Sequence, residues 1–122
     1  MPPERDDGAY IWDMLNAARA VSQFVAGRTI QDYAANLMLR SAVERQIEII
    51  GEAARRVSTA FRAAHPQIPW RRIVGQRHVL DHDYAEIRHE RLWRVAVDSI
   101  PDLIVELERL VPPPPPGPPD EL

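Results

Sequence analysis

The chain has 122 residues, a formal net charge of −3 and no cysteine. This length fits one domain and leaves little room for two. Without cysteine there can be no disulfide, thiolate metal site or cysteine nucleophile, and a cytoplasmic location is expected. No apolar run approaches the ~20 residues that a membrane-spanning helix needs, and the first seven residues lack the apolar core of a secretory signal.

The charge is unevenly distributed along the chain, and every one of its 15 basic residues is arginine. Residues 36–94 hold eleven arginines and seven acidic residues. In contrast, residues 1–35 hold three arginines and five acidic residues, and residues 95–122 hold one arginine and six acidic residues. The middle of the chain could therefore present a basic surface to nucleic acid. Pairing of arginines with carboxylates on solvated helix faces is the alternative, and charge alone does not choose between them.

The N-terminal part of the chain predicts a flexible leader over residues 1–7 followed by an amphipathic helix. Asp6 or Asp7 is a suitable N-cap, and Gly27 is expected to end the helix. Its apolar stripe has members three or four residues apart: Ile11, Met14, Ala18, Val21 and Val25. Thr29 is expected to cap a short second helix, with Asp32 completing a capping box.

The strongest helical periodicity predicts a long core helix of roughly seven turns. Its apolar positions are Leu39, Val43, Ile47, Ile50, Ala54, Val57 and Phe61. His65-Pro66 should stop it, and a new helix should start near Trp70. Gly51 in the helix interior predicts the close approach of another helix or of a partner chain. Glu52 beside it is expected to be a core carboxylate that needs an arginine from residues 70–80, or else a catalytic acid.

The C-terminal part of the chain predicts one more helix and then a proline-rich tail. The apolar face of this helix comprises Trp93, Ala96, Val97, Ile100, Ile104, Leu107 and Val111. Pro101 should bend it or begin a second segment, and residues 112–122 should be disordered. Because no stretch alternates with period two, the fold class is all-α, an antiparallel bundle of four to five helices over residues 8–111.

Chemically capable side chains are densest in residues 77–84, Arg-His-Val-Leu-Asp-His-Asp-Tyr. Histidine can move protons near neutral pH, and arginine can bind phosphate oxygens. A tyrosine hydroxyl can donate to phosphate or be modified itself. The candidate supporting or RNA-binding residues are His78, Tyr84 and, just upstream, Arg71 and Arg72. A solvated helix end with an Arg77–Asp81 ion pair is the alternative. A metal site is a weaker alternative. Its ligands would be His78 and His82, with Asp81, Asp83 or His89 as a third ligand.

Several segments in order resemble the HepT-like family of HEPN-domain proteins. They are residues 42–54, residues 66–70, Arg77 with His82 and Tyr84, Leu92-Trp93, and residues 100–103. The resemblance implies a HEPN-like helical bundle that forms a two-fold homodimer. It also implies a toxin that is a metal-independent endoribonuclease, acts on tRNA or mRNA and needs no cofactor.

The family signature, Arg-x4-His-x-Tyr, falls on Arg77, His82 and Tyr84. The resemblance implies that Arg77 and His82 from both protomers face each other in a composite cleft. It also implies an MNT-type nucleotidyltransferase antitoxin that transfers AMP to Tyr84. His78 stands where the family usually has asparagine, so it could share the acid–base role, alter specificity or mark lost activity. A non-catalytic helical module, or an accessory subunit of a nucleotidyltransferase, is the alternative function.

Overall fold

The computed structural model describes residues 6–75 and 85–111, and within these ranges all regular structure is helical. The helices are α1 (Asp7–Val25), α2 (Ile30–Ala35), α3 (Leu37–Arg56), α4 (Thr59–Ala64), α5 (residues 70–75), α6 (Ala85–Arg94) and α7 (Ile100–Leu110), with a π-helical segment at Val95–Ser99 between the last two. The predicted all-α class is confirmed. Most of the predicted leader and the whole of the predicted proline-rich tail lie outside the described residues.

Helix α1 is the central element of the core and packs mainly against α3 and α7. The Asp6 side chain caps it by accepting a hydrogen bond from the backbone N–H of Ala9 at 2.8 Å, and Gly27 follows it with a φ of 71°. The Asp7 carboxylate accepts hydrogen bonds from both the N–H and the hydroxyl of Ser58, each at 2.7 Å. The N-terminus of α1 is therefore tied to the turn that follows α3.

The predicted cap of α2 is confirmed. The backbone N–H of Asp32 donates to the Thr29 hydroxyl, and the Thr29 N–H donates to the Asp32 carboxylate. Asn36 then serves α3 in the same way, because its side-chain oxygen accepts from the N–H of Leu39 at 3.0 Å. Local polar side chains thus satisfy N–H groups that the first turn of a helix leaves open.

The predicted continuous helix from Leu39 to Phe61 is wrong at its C-terminal end. Helix α3 stops at Arg56, and Val57 has an extended backbone with a ψ of 138°. The Ser58 hydroxyl accepts a hydrogen bond from the N–H of Phe61 and so starts α4 as a separate helix. The apolar spacing concealed this break because Val57 remains buried while the backbone direction changes.

The last helix divides into α6, the π segment and α7, with Pro101 in the first turn of α7. The N–H of Ile100 bonds to the carbonyl of Val95, five residues back, as in a π-helix. The extra residue rotates the buried face, so Val97 is 36% exposed although it was expected to be buried. The buried side chains are Leu92, Ala96, Ile100, Leu103 and Leu107. In residues 6–75 and 85–111, no helix has the length and apolar character needed to cross a membrane.

Candidate functional site

Four of the six predicted site residues, Arg77, His78, His82 and Tyr84, lie outside the described residues. Their positions therefore stay predictions. The structure describes the helices on either side of them in the chain: α5 ends its described part at Gly75, and α6 begins at Ala85. These two helices, with the residues that fix them to the core, are the scaffold of the candidate site.

Helix α5 is fixed at its start by an aromatic cluster. Trp70 is 8% exposed, and its indole N–H donates to the carbonyl of His65 at 2.9 Å. The Phe61 ring contacts both side chains, with centroids 4.5 Å from His65 and 6.5 Å from Trp70. The buried Ile68 lies in the same turn, and its N–H bonds to the His65 carbonyl. These contacts set where α5 leaves the core.

The middle of α5 lies close against α3 at Gly51, as the sequence predicted. A Cβ atom at Gly51 would be 3.4 Å from the carbonyl oxygen of Ile73. Glu52, in contrast, is not a core carboxylate: its side chain is 44% exposed and accepts a hydrogen bond from Arg55 at 3.0 Å. The expectation for Glu52 is wrong because it lies at the edge of the buried face, where water and neighbouring residues of its own helix reach it.

Helix α6 is fixed by a different kind of contact, a polar and aromatic cluster that sequence reasoning missed. Tyr33 of α2 is completely buried, with its ring centroid 5.6 Å from Trp93 and 6.3 Å, edge-on, from His89. Arg40 donates to the last carbonyls of α2, those of Tyr33 and Ala34. The Arg88 guanidinium lies 3.9 Å from a carboxylate oxygen of Glu44 on α3.

The electrostatics of this cluster favour the neutral forms of both its titratable rings. Burial, reinforced by the negative charge of Glu44, raises the pKa of Tyr33 to about 12. Burial and the positive charges of Arg40 and Arg88 lower the pKa of His89, with Glu44 and Glu86 opposing them. The Tyr33 hydroxyl makes no hydrogen bond with any described residue. His89 is therefore a neutral imidazole near pH 7, one helical turn beyond the start of α6.

Arg71 and Arg72, the two predicted site residues that are described, are both exposed on α5. Arg72 lines a cavity that also receives Asp102 and Glu106 from α7. Arg72 thus shares a cavity lining with two carboxylates, and its predicted contact with RNA stays a prediction. Among the described residues, no three of the His, Asp and Glu side chains come close enough to hold a metal ion.

Comparison with known proteins identifies the family of the chain, which the geometry of the flanking helices alone does not. The sequence model of the family described as "Ribonuclease HepT-like" matches residues 14–110. The chain is 36% identical over 105 residues to "Putative RNase MJ1380" of Methanocaldococcus jannaschii, covering 86% of this chain and 96% of that protein. It is 31% identical over 107 residues to "Probable ribonuclease HepT" of Thermococcus cleftensis, covering 88% and 97%. No solved structure matches.

Proposed function

Because the chain belongs to the ribonuclease HepT-like family, we propose that it is a metal-independent endoribonuclease and the toxin of a toxin–antitoxin pair. The family match carries this proposal, since residues 14–110 include the whole segment from Arg77 to Tyr84. The names of the two relatives, an RNase and a ribonuclease HepT, support the same reaction class. In this proposal residues 8–111 form the HEPN-like domain and the protein acts in the cytoplasm.

The proposed reaction is attack by a ribose 2′-hydroxyl on the adjacent phosphodiester of RNA. The bond from the 2′-oxygen to phosphorus forms while the bond to the 5′-oxygen breaks. A general base takes the 2′-hydroxyl proton, and a general acid gives a proton to the leaving 5′-oxygen. His82 fills one of these roles, an effect typically worth ~10²–10⁴ in rate. Arg77 binds the phosphate and stabilises its developing negative charge, with Arg71, Arg72 and His78 in supporting positions.

A two-fold homodimer supplies the second proton-transfer group. Each protomer contributes a single Arg77–His82 set, so one site needs both sets to have an acid and a base at once. A variant that is monomeric but keeps Arg77 and His82 should therefore lose cleavage. A monomer that still cleaved RNA would contradict the composite site.

The proposed antitoxin is an MNT-type nucleotidyltransferase that modifies Tyr84. The phenol oxygen of Tyr84 would attack the α-phosphorus of ATP, forming Tyr84–AMP and releasing pyrophosphate. The added group is bulky and negatively charged, so it would oppose the approach of an RNA phosphate through both volume and charge.

The second candidate function is a non-catalytic accessory subunit of a nucleotidyltransferase. The observation that favours it is His78, which stands where this family usually has asparagine. In this case Tyr84 would still accept AMP, whereas the protein would cleave no RNA.

The deciding experiment compares wild type with His82→Ala on a mixture of tRNA and mRNA in excess EDTA. Both proteins are expressed without the antitoxin, and intact mass verifies that Tyr84 is unmodified. We expect cleavage by the wild type and none by the variant. The control is Arg28→Ala, since Arg28 is exposed, lies outside the motif and its flanking helices, and should leave cleavage intact.

The other outcomes each contradict part of the proposal. Cleavage by neither protein would favour the accessory function, and His78→Asn would then test whether the usual asparagine restores activity. Equal cleavage by both would mean that His82 is not the catalytic residue or that another nuclease is present.

A further inference from the structure

A cavity of about 270 Å³ opens between α3, the turn before α5, and the junction of the π segment with α7. Most of its wall is apolar, formed by Ile47, Ile50, Ile68, Pro69, Ile73, Val95, Ile100 and Leu103. Two of the lining residues, Val95 and Ser99, belong to the π segment, a feature that often accompanies functional sites in helices.

The polar lining of the cavity consists of Gln67, Arg72, Ser99 and two carboxylates. Asp102 and Glu106 are four residues apart on α7 and so lie on one face of the helix. Glu106 also accepts a hydrogen bond from Arg109 at 3.2 Å, and Arg72 is a further lining residue. The cavity therefore combines an apolar floor with two acidic groups at adjacent turns.

We propose that this cavity is a docking site for an arginine side chain of a protein partner. An arginine stem can lie along apolar wall residues while its charged end stays near the polar rim. The planar guanidinium can donate to two carboxylates at once, which a compact ammonium group does less well. Asp102 and Glu106 present such a pair of acceptors.

The volume and surroundings of the cavity favour a protein segment over a small ligand. Its volume falls just below the ~300 Å³ lower limit of usual small-molecule sites, which suits an anchoring side chain. Val105 is 49% exposed and lies three residues from Asp102, on a neighbouring part of the helix surface, so exposed apolar surface continues beyond the cavity. A partner segment with apolar residues beside its arginine would cover that surface.

The local charge excludes RNA as the occupant. Residues 95–111 hold four carboxylates and a single arginine. Phosphate groups would be repelled by this surface, whereas a basic segment of a protein would be attracted. The two carboxylates proposed to bind the arginine, Asp102 and Glu106, have no role in the proposed ribonuclease reaction, although Arg72 belongs both to the cavity lining and to the proposed supporting residues of that reaction.

The test is an NMR titration of the ¹⁵N-labelled full chain with the capped peptide Ac-Leu-Arg-Leu-NH₂. A second peptide carries citrulline, which has nearly the shape of arginine but no charge. We expect saturable amide shift changes at Ser99, Asp102 and Glu106 with the arginine peptide. The citrulline peptide should bind about tenfold more weakly, as expected for lost charge-assisted hydrogen bonds. Absence of saturable changes with the arginine peptide, or equal binding of both peptides, would overturn the proposal.

Variants then locate the binding site. Asp102→Asn combined with Glu106→Gln should weaken the arginine peptide about tenfold. Glu108→Gln removes a charge from the same helix outside the cavity and should leave binding unchanged. Shift changes that persist in the double variant would overturn the assignment. The comparison of peptides on the wild type decides the question even if the double variant fails to fold.

Sedimentation of the wild type and of the Asp102→Asn/Glu106→Gln double variant tests whether the occupant is a second copy of this chain. We expect the double variant to have the same oligomeric state as the wild type. If the substitutions dissociated a wild-type oligomer, the arginine would come from another copy, and the assignment to a different protein would be wrong.

Discussion

The two helices that flank the motif in the chain are held to the core in contrasting ways. Helix α5 is held by apolar and aromatic contacts around Trp70 and by backbone proximity at Gly51. Helix α6 also buries Leu92, but it adds Tyr33, His89 and the Glu44–Arg88 pair, groups whose contributions depend in part on charge or protonation. The α6 attachment should therefore weaken when the Tyr33 ring ionises, whereas the α5 attachment rests mainly on apolar and aromatic contacts.

The largest effect on the free energy of unfolding is expected from substitutions at the α5 attachment. Trp70→Ala should lower the free energy of unfolding by about 3–5 kcal/mol, because it empties a large part of a buried aromatic cluster. Urea unfolding measures the change. Trp70→Phe is the control: it keeps most of the apolar area and loses the hydrogen bond to the His65 carbonyl, at about 1 kcal/mol. Equal losses in both variants would mean that the hydrogen bond, and not the apolar contact, holds α5.

The contribution of Tyr33 to the α6 attachment should appear as a loss of stability at alkaline pH. Because folding raises the pKa of Tyr33 to about 12, the unfolded chain loses this proton first, near pH 10. Stability is therefore complete below pH 10 and falls as the pH rises to about 12, by about 2–3 kcal/mol for a two-unit shift. The absence of lysine removes the usual competing titration.

Tyr33→Phe isolates this contribution. The variant should lack the alkaline loss that Tyr33 causes, and at pH 7 it should be at least as stable as the wild type, since it deletes a buried hydroxyl without a described partner. Tyr10→Phe is the matched control and should retain the loss. Urea unfolding at a series of pH values from 8 to 12 measures both. An unchanged alkaline profile in Tyr33→Phe would show that the phenol ionises without opposing the fold.

A smaller effect tests how closely α5 approaches α3. Gly51→Ala should raise stability by about 0.5–1 kcal/mol, because alanine favours the helix and its Cβ would only touch the Ile73 carbonyl at 3.4 Å. Gly51→Val should be less stable than Gly51→Ala, since its branched methyl groups need further space. Gly75→Ala is the control, because a Cβ there meets nothing within 4 Å. Destabilisation by Gly51→Ala alone would mean that the two backbones cannot separate at all.

The contrast between the two attachments also explains what the sequence could and could not predict. The caps at Asp6 and Thr29 were predictable because they involve residues three apart, and Gly51 signalled a close contact by its own helix propensity. The end of α3 at Arg56 was not predictable, because the buried Val57 continues the apolar spacing through a turn. The π segment, where one extra residue rotates the buried face, was missed for a related reason.

For the candidate site, sequence reasoning found the motif by residue type and missed most of the α6 cluster. Tyr33 and Glu44 reach α6 from α2 and α3, helices that are remote along the chain. No local spacing connects them, so only the fold brings them together. His89 was noticed, but as a possible metal ligand, whereas the structure places it against the Tyr33 ring.

The smallest expected effect concerns the Glu44–Arg88 pair, the ionic part of the α6 attachment. A double-mutant cycle with Glu44→Gln and Arg88→Met should give a coupling of about 0.2–1 kcal/mol, because both side chains keep about 30% of their exposure and the atoms are 3.9 Å apart. Salt should weaken this coupling. The control cycle is Arg45 with Glu48, a more exposed pair within α3, which should couple no more strongly. If the α3–α6 pair coupled less than this surface pair, then the rings of Tyr33 and Trp93, and not the ion pair, would carry the attachment of α6.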